Sequence, residues 1–416
     1  MTKAIIATAI AAAFAIAPLT AGAQAQKPPS LPEGKGKPLV EGMCAGCHAL
    51  QLISNSSGYT REHWTELVNA MVDLSGSRAQ RDEVIDYLAT NFPPTYNKRP
   101  AKPVPGKFQV TFKEYVTPQR GVRTRDPILA SDGSIWYVGQ YGNVIGRLDP
   151  RTGQAKEFPL PENAMPHTVQ LDPKGRPWFS GNKNATMGWV DPATGKATVF
   201  KMTDPEAKDP HTIAFDKRGI AYFTFQASNM VGRLDPDTGD IKVVKVASER
   251  SQPYDIKFDR DGMLWVSCNA RPCLLKVHPD TLAVTEVKLP TPKTTVRRFD
   301  FAPDGTIWFV NSGAGRLGRL NPKTGEIKEW DSPSGPRSHP YAISVLDNAV
   351  WYNESGVRPD MLVRFDIATE TFQSWPIKSG NIYAGIVRKS TVTPQGTLLI
   401  HQTATNRIIE VTPQRR

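Results

Sequence analysis

Two hydrophobic periods divide this chain. Trp64, Leu67, Val68, Met71 and Val72 recur at i, i+3, i+4, i+7 and i+8, which is one face of a helix. Val84, Tyr87, Leu88 and Phe92 mark the buried side of a second amphipathic helix, and Ser75-Gly76-Ser77 breaks the chain between the two. Beyond Phe108 the pattern changes to short alternating runs separated by turn residues, and it repeats with a period of about 43 residues. Each unit reads as an Asp-Gly-type turn, a strand with an aromatic marker, a loop, and a strand running into an Asp-Pro-x-Thr-Gly-like turn. The markers are Trp136, Trp178, Tyr222, Trp265, Trp308, Trp351 and the weaker Leu399. The turns include Gly146-Arg147-Leu148-Asp149-Pro150, Gly188-Trp189-Val190-Asp191-Pro192 and Gly318-Arg319-Leu320-Asn321-Pro322.

Seven units of about four strands each predict an all-β seven-bladed β-propeller over residues 107–416. The last unit stops after Val411-Thr412-Pro413 and lacks an outermost strand, whereas Phe108 to Val116 has the alternation of a strand and no unit of its own. The N-terminal strand is therefore expected to complete the seventh blade and to remove an exposed sheet edge. The helical pattern gives a small all-α domain over residues 37–92. Pro93, Pro94, Pro100, Pro103 and Pro105 make residues 93–106 an extended linker between the two domains.

The helical domain carries Cys44-Ala45-Gly46-Cys47-His48, a Cys-x-x-Cys-His sequence of the kind to which c-type haem is attached. Two thiols three positions apart each form a thioether to one porphyrin, and the adjacent imidazole becomes the proximal iron ligand. Zinc binding would need a second ligand pair nearby, and His63 is the only other Cys or His before His167. Thioredoxin-like chemistry would want a strand before the motif, where Gly-rich and Pro-rich sequence stands. One covalent haem c is the expected cofactor, with Met71 as distal iron ligand and His63 as the competitor. Residues 44–48, the Trp64 to Met71 helix and Tyr87-Leu88 together resemble the small class of c-type cytochrome domains.

The first 25 residues read as a secretion signal: Lys3 is followed by an apolar run from Ala4 to Pro18 and by small-residue cleavage sites such as Ala21-Gly22-Ala23. That run is short for a transmembrane anchor, no later segment approaches a membrane span, and a periplasmic location follows from export and haem attachment together. The formal charge of +11 is scattered, without blocks of like charge or interleaved aromatics, which argues against nucleic acid and for an acidic redox partner protein. Cys268 and Cys273 close a short loop, and in an oxidising compartment a disulfide is the plain expectation; a redox-active pair is the alternative.

Because the repeated residues serve the scaffold, function is sought where the repeats disagree. Counting back from each marker reaches the innermost strand near the central opening. The residues there are Asp126, His167, His211, Tyr254, Arg297, Tyr341 and Arg388, with His339 and Glu354 flanking them. Such a ring suits an anionic small molecule or a metal, and equally a solvated polar channel. The units quoted, with Ile145-Gly146-Arg147-Leu148, Trp136-Tyr137 and Trp308-Phe309, resemble the virginiamycin B (streptogramin B) lyase family of seven-bladed propellers. That resemblance implies metal-assisted elimination, with a divalent ion such as Mg2+ and His211, His339 and Glu354 as candidate catalytic residues. The equivalents of Glu354 in other units are Gly139, Gly181, Phe225, Cys268 and Asn311, so a two-acid metal site is not apparent. The favoured reading is a periplasmic electron carrier whose propeller binds a partner or small ligand, with the lyase as alternative.

Overall fold

In the computed structural model the described residues are 30–45, 50–54, 56–292, 294–377, 379 and 387–414. The segment read as a secretion signal, Cys47 and His48 lie outside them. Among the described residues, four helices precede the first strand: α1 (Lys37–Cys44), α2 (Gln51–Ser54), α3 (Arg61–Met71) and α4 (Arg78–Asn91). The Thr60 hydroxyl caps α3 by accepting from the His63 N–H at 3.2 Å. Trp64, Leu67 and Val68 of α3 and Val84, Ile85, Tyr87 and Leu88 of α4 meet in one buried cluster. The indole N–H of Trp64 donates to the Phe92 carbonyl, so the two helices are also tied by a hydrogen bond. None of the described helices is long and apolar enough to cross a membrane.

The strands form seven four-stranded antiparallel sheets, the blades of a propeller. In blade 1 they are Thr124–Leu129, Ile135–Gly139, Val144–Leu148 and Ala155–Pro159, from the channel outward. The second strand of this blade is buried throughout because neighbouring blades cover both its faces, while the fourth alternates on the rim. The repeated residues hold blades together locally. The indoles of Trp178 and Trp265 donate to Asp172 and Asp259 of their own turns, both at 2.9 Å. The glycine of each Asp-Pro-x-Thr-Gly turn, such as Gly153 at φ 73°, takes the left-handed conformation that a Cβ disfavours.

Ring closure follows the sequence expectation. Gln109–Val116 pairs in register with Arg407–Gln414, from Gln109 opposite Gln414 to Val116 opposite Arg407, as the outermost strand of blade 7. The expected linker over 93–106 is extended only in its later part. Residues 94–97 turn back on the helical unit, where the Tyr96 hydroxyl donates to the Ser54 carbonyl, and the chain beyond them is fastened to the propeller. Arg358 and Ala101 are hydrogen-bonded through backbone, and Val104 exchanges backbone and side-chain bonds with Ser374, so the linker lies along blade 6. Cys268 and Cys273 are disulfide-bonded across the loop of blade 4.

The helical unit sits on the propeller face at which the innermost strands begin. The Ala70 carbonyl at the end of α3 accepts from the Gly121 N–H and from the Asn406 side chain, each at 2.8 Å. Arg120 pairs with Asp73 at 3.3 Å, and Arg358 donates to the Tyr59 hydroxyl. Ala404, from the neighbouring blade 7 loop, packs against the helical core.

Candidate functional site: the central channel

Every innermost strand with a full register carries the same irregularity. In blade 1 the register shifts between Arg125 and Ile128, and the same shift recurs after Pro166, Pro210, Pro253, Val296 and Pro340. Such a β-bulge inserts one residue and re-aims the side chains beside it. It also leaves a backbone N–H to be satisfied. The hydroxyls of Ser180, Thr224 and Ser267 accept from the N–H groups of Thr168, Thr212 and Asp255. Each hydroxyl then donates to the carbonyl of the ring residue in the next blade: His211, Tyr254 and Arg297, at 2.7, 2.9 and 3.1 Å. A relay of small polar residues on the second strands thus sets the ring.

The register also corrects the sequence count. Arg125, not Asp126, is the blade 1 equivalent of His167, His211, Tyr254, Arg297 and Tyr341. Asp126 belongs to the next position inward, with Thr168, Thr212, Asp255, Arg298 and Lys389. Sequence reading missed that second layer, although its alternation of Asp, Arg and Lys against Thr was its signal.

The second layer plugs the channel. Arg298, only 3% exposed, donates to Asp255 at 2.7 Å, to the Arg388 carbonyl at 3.0 Å and towards Thr212, and its other terminal nitrogen stands 3.6 Å from Asp126. Burial opposes ionisation of Asp126, but Lys389, Arg298 and Arg125 outweigh it and hold the carboxyl well below the usual range. Burial pushes the Lys389 amine down to about 8 against the attraction of Asp126. Below this plug a cavity of about 440 Å³ opens on the opposite face, lined in part by Lys257, Asp300, Lys389 and Ser390.

Above the plug lies the ring. The His167 and His211 rings are 3.4 Å apart between centroids, and Tyr254 lies 4.3 Å from His211. A guanidinium only donates, so the His167 Nε2 that faces Arg125 must accept and the ring is neutral. Burial, then Arg125, keeps both imidazoles from protonating. His401, which sequence reading passed over, accepts from the Arg388 N–H at Nε2 and donates from Nδ1 to the Thr124 carbonyl. Burial holds it at about 3. The Tyr254 hydroxyl is hydrogen-bonded to that of Tyr341, to which Arg388 also donates at 3.0 Å.

His339 flanks the ring, 5.7 Å from Tyr341 between centroids, and burial with Arg297 and Arg388 nearby pushes it down to about 3. Glu354 is elsewhere in purpose. It pairs with Pro340 at the strand end, is fully buried, and accepts from the Ser332 hydroxyl, the Ser334 N–H and the Ser334 hydroxyl. Asn311, its blade 5 counterpart, bonds Thr294 and Thr295 of its own loop in the same way. This row fastens loops. Among the described residues no three His, Cys, Asp or Glu side chains form a group that could hold a metal ion. His211, His339 and Glu354 therefore do not fit the divalent ion that the family resemblance implies.

In the helical unit, Cys44 ends α1 and Met71 ends α3, and both are half-buried against the same apolar cluster. His63 lies on α3 in a hollow of about 250 Å³ at the junction with the propeller, beside Tyr59, Lys98, Arg99 and Arg358.

A model of the Virginiamycin B lyase family matches residues 107–273. A search of curated proteins finds no match. Among solved structures, a streptogramin B lyase is 24% identical with a TM-score of 0.66, covering 73% of this chain and 98% of its own. The virginiamycin B lyase of Staphylococcus aureus is 22% identical with a TM-score of 0.66, covering 73% and 99%. Hydrazine synthase of Kuenenia stuttgartiensis is 13% identical with a TM-score of 0.57, covering 71% and 96%. This chain thus carries a seven-bladed propeller similar to the streptogramin B lyases, preceded by a helical unit that lies outside the residues matched by the family model.

Proposed function

We propose that this is an exported c-type haem protein that carries single electrons, with its propeller channel recognising a small ligand or a redox partner. The observation that carries the reading is the common apolar core of Cys44 and Met71. Leu39, Met43, Leu50, Leu52 and Leu74 are half-buried on the same cluster, an apolar surface of the kind a porphyrin covers. Cys44 and Cys47 would hold the haem by thioethers, His48 and Met71 would ligate the iron, and the group would supply a one-electron couple. Met71 is favoured over His63 because it packs on the cluster that holds Cys44, whereas His63 lines the hollow against the propeller. The docking of α3 through Ala70 on Gly121 and Asn406 puts the helical unit on the channel's ring face.

The test is a reduced-minus-oxidised spectrum of full-length protein exported with the haem-attachment machinery. A c-type α-band, retained through acid extraction and lost in Cys44→Ala/Cys47→Ala, is expected; no covalent haem overturns the reading. Met71→Ala should let the ferrous protein bind carbon monoxide, whereas His63→Ala should not.

The family match favours a second reading, elimination of a C–O bond in a ligand at the same mouth. Incubation with a streptogramin B would give a linear product if it holds, and His211→Ala should abolish that product.

A further inference from the structure

We infer that the ring-face mouth of the channel is a binding site for a small organic oxyanion, held by Arg297 and Arg388 at its lip and by Arg125 at its base. The inference stands independently of the haem reading. Charge is the first observation. Arg388 is close enough to disfavour the charge of both Arg123 and Arg125, and Arg99, Arg297 and Arg388 all act on His339. The buried carboxylates of the neighbouring layers are engaged elsewhere: Asp126 and Asp255 by Arg298 and Lys389 below, Glu354 by Ser332 and Ser334, and Asp360 by Arg358. The histidines of the mouth are held neutral, so they add no charge of either sign. The result is a cluster of guanidinium groups in which Asp126 acts on Arg125 from below, while no described ion pair joins Arg297 or Arg388 to a carboxylate.

Geometry is the second observation. Arg297 lies 5.0 Å over the Tyr341 ring and 5.6 Å from that of Tyr254, and Arg388 lies 5.3 Å over Tyr341. These cation–π contacts hold both guanidinium groups against the tyrosines, and a planar guanidinium suits forked binding of carboxylate or phosphate oxygens. Arg297 and Arg388 are half-buried and so reachable from solvent, whereas Arg125 is 1% exposed. The Nε atoms of Arg125, Arg297 and Arg388 are buried without a hydrogen-bond partner. A buried donor in that state is costly unless a ligand satisfies it. The phenol of Tyr341 responds to the same field: burial would raise it, but Arg388, Arg297 and Arg125 pull it well below the usual tyrosine range. The protein's own weak acid stands in for the anion.

The test is isothermal titration calorimetry of the full-length protein with malonate and, separately, with inorganic phosphate. Saturable binding at one site is expected, weakened at least tenfold in Arg297→Gln and Arg388→Gln and less in Arg388→Lys. Tighter binding of malonate would assign a carboxylate ligand, and tighter binding of phosphate a phosphorylated one. Bound anion should also suppress the Tyr341 phenolate band in ultraviolet absorption at fixed pH, and Tyr341→Phe should remove that signal while keeping the heat. Absence of saturable heat with both probes overturns the inference, and so does binding that Arg297→Gln and Arg388→Gln leave unchanged. Arg388→Lys keeps the charge, so it separates loss of the site from loss of the fold.

Discussion

Arg298, from the innermost strand of blade 5, reaches within 3.6 Å of Asp126 on blade 1, on the far side of the ring. Together with its 2.7 Å bond to Asp255 on blade 4, this contact spans the channel and joins blades that share no sheet. All three side chains are at most 3% exposed. Removing one partner of a buried ion cluster leaves the others charged and unpaired. Arg298→Met is therefore expected to cost about 3–5 kcal/mol of stability, read as a lower urea midpoint at pH 7. Adding Asp126→Asn and Asp255→Asn should recover much of the loss. A triple variant as weak as Arg298→Met would show that the charges are not the cause.

Acid should weaken the propeller through its neutral histidines. His401 is fully buried and held at about 3, below the ordinary value of 6.5. Between those values the unfolded chain binds a proton that the folded chain refuses, so stability falls as pH drops below about 6.5. The expected loss for one such group at pH 5 is about 2 kcal/mol. His401→Gln keeps an acceptor for the Arg388 N–H and a donor for the Thr124 carbonyl. Thermal unfolding between pH 7 and 5 should show a shallower pH slope in this variant than in the parent.

Tyr341 should titrate near neutrality in the free protein. Its phenol is drawn to about 7 because Arg388, Arg297 and Arg125 outweigh the effect of burial. Ultraviolet titration should show one phenolate forming around pH 7, well apart from the other tyrosines. Arg388→Gln removes the hydrogen-bond donor and the nearest opposing charge, so the transition should move upward by a unit or more. A transition that stays in place would mean that another tyrosine gives rise to it.

The docking of the helical unit rests on a close backbone approach. Gly121 has φ 65°, and a Cβ there would stand 2.5 Å from the Met71 carbonyl. Gly121→Val is expected to separate α3 from the propeller while leaving the blades intact. Limited proteolysis would then cut within residues 93–106, and small-angle scattering would report a larger radius of gyration. Asn406→Ala removes a single bond to the Ala70 carbonyl and should give a weaker form of the same effect.

What the sequence by itself determined is the part built from repetition and local chemistry. The markers Trp178 and Trp265 recur because each indole bonds an Asp of its own turn, and Gly153 recurs because the turn needs its conformation. The orphan strand Gln109–Val116 and the truncated last unit foretold the closure of the ring. Cys44 to His48 are read as a haem site in the same local way, through residues adjacent along the chain, and that reading remains a proposal.

The tertiary structure alone decided what the channel contains. A bulge adds one residue to each innermost strand, so equal spacing along the chain does not give equal direction, and Arg125 takes the ring place that counting assigned to Asp126. Ring closure then brings Asp126, Asp255 and Arg298 together from three different blades, a juxtaposition that no window of sequence contains. Glu354 showed the converse. Its carboxyl looked free to act when read along the chain, but the neighbouring loop brings Ser332 and Ser334 against it. Local periodicity fixes which side chains can line a channel, and only the closed ring of blades fixes which of them meet.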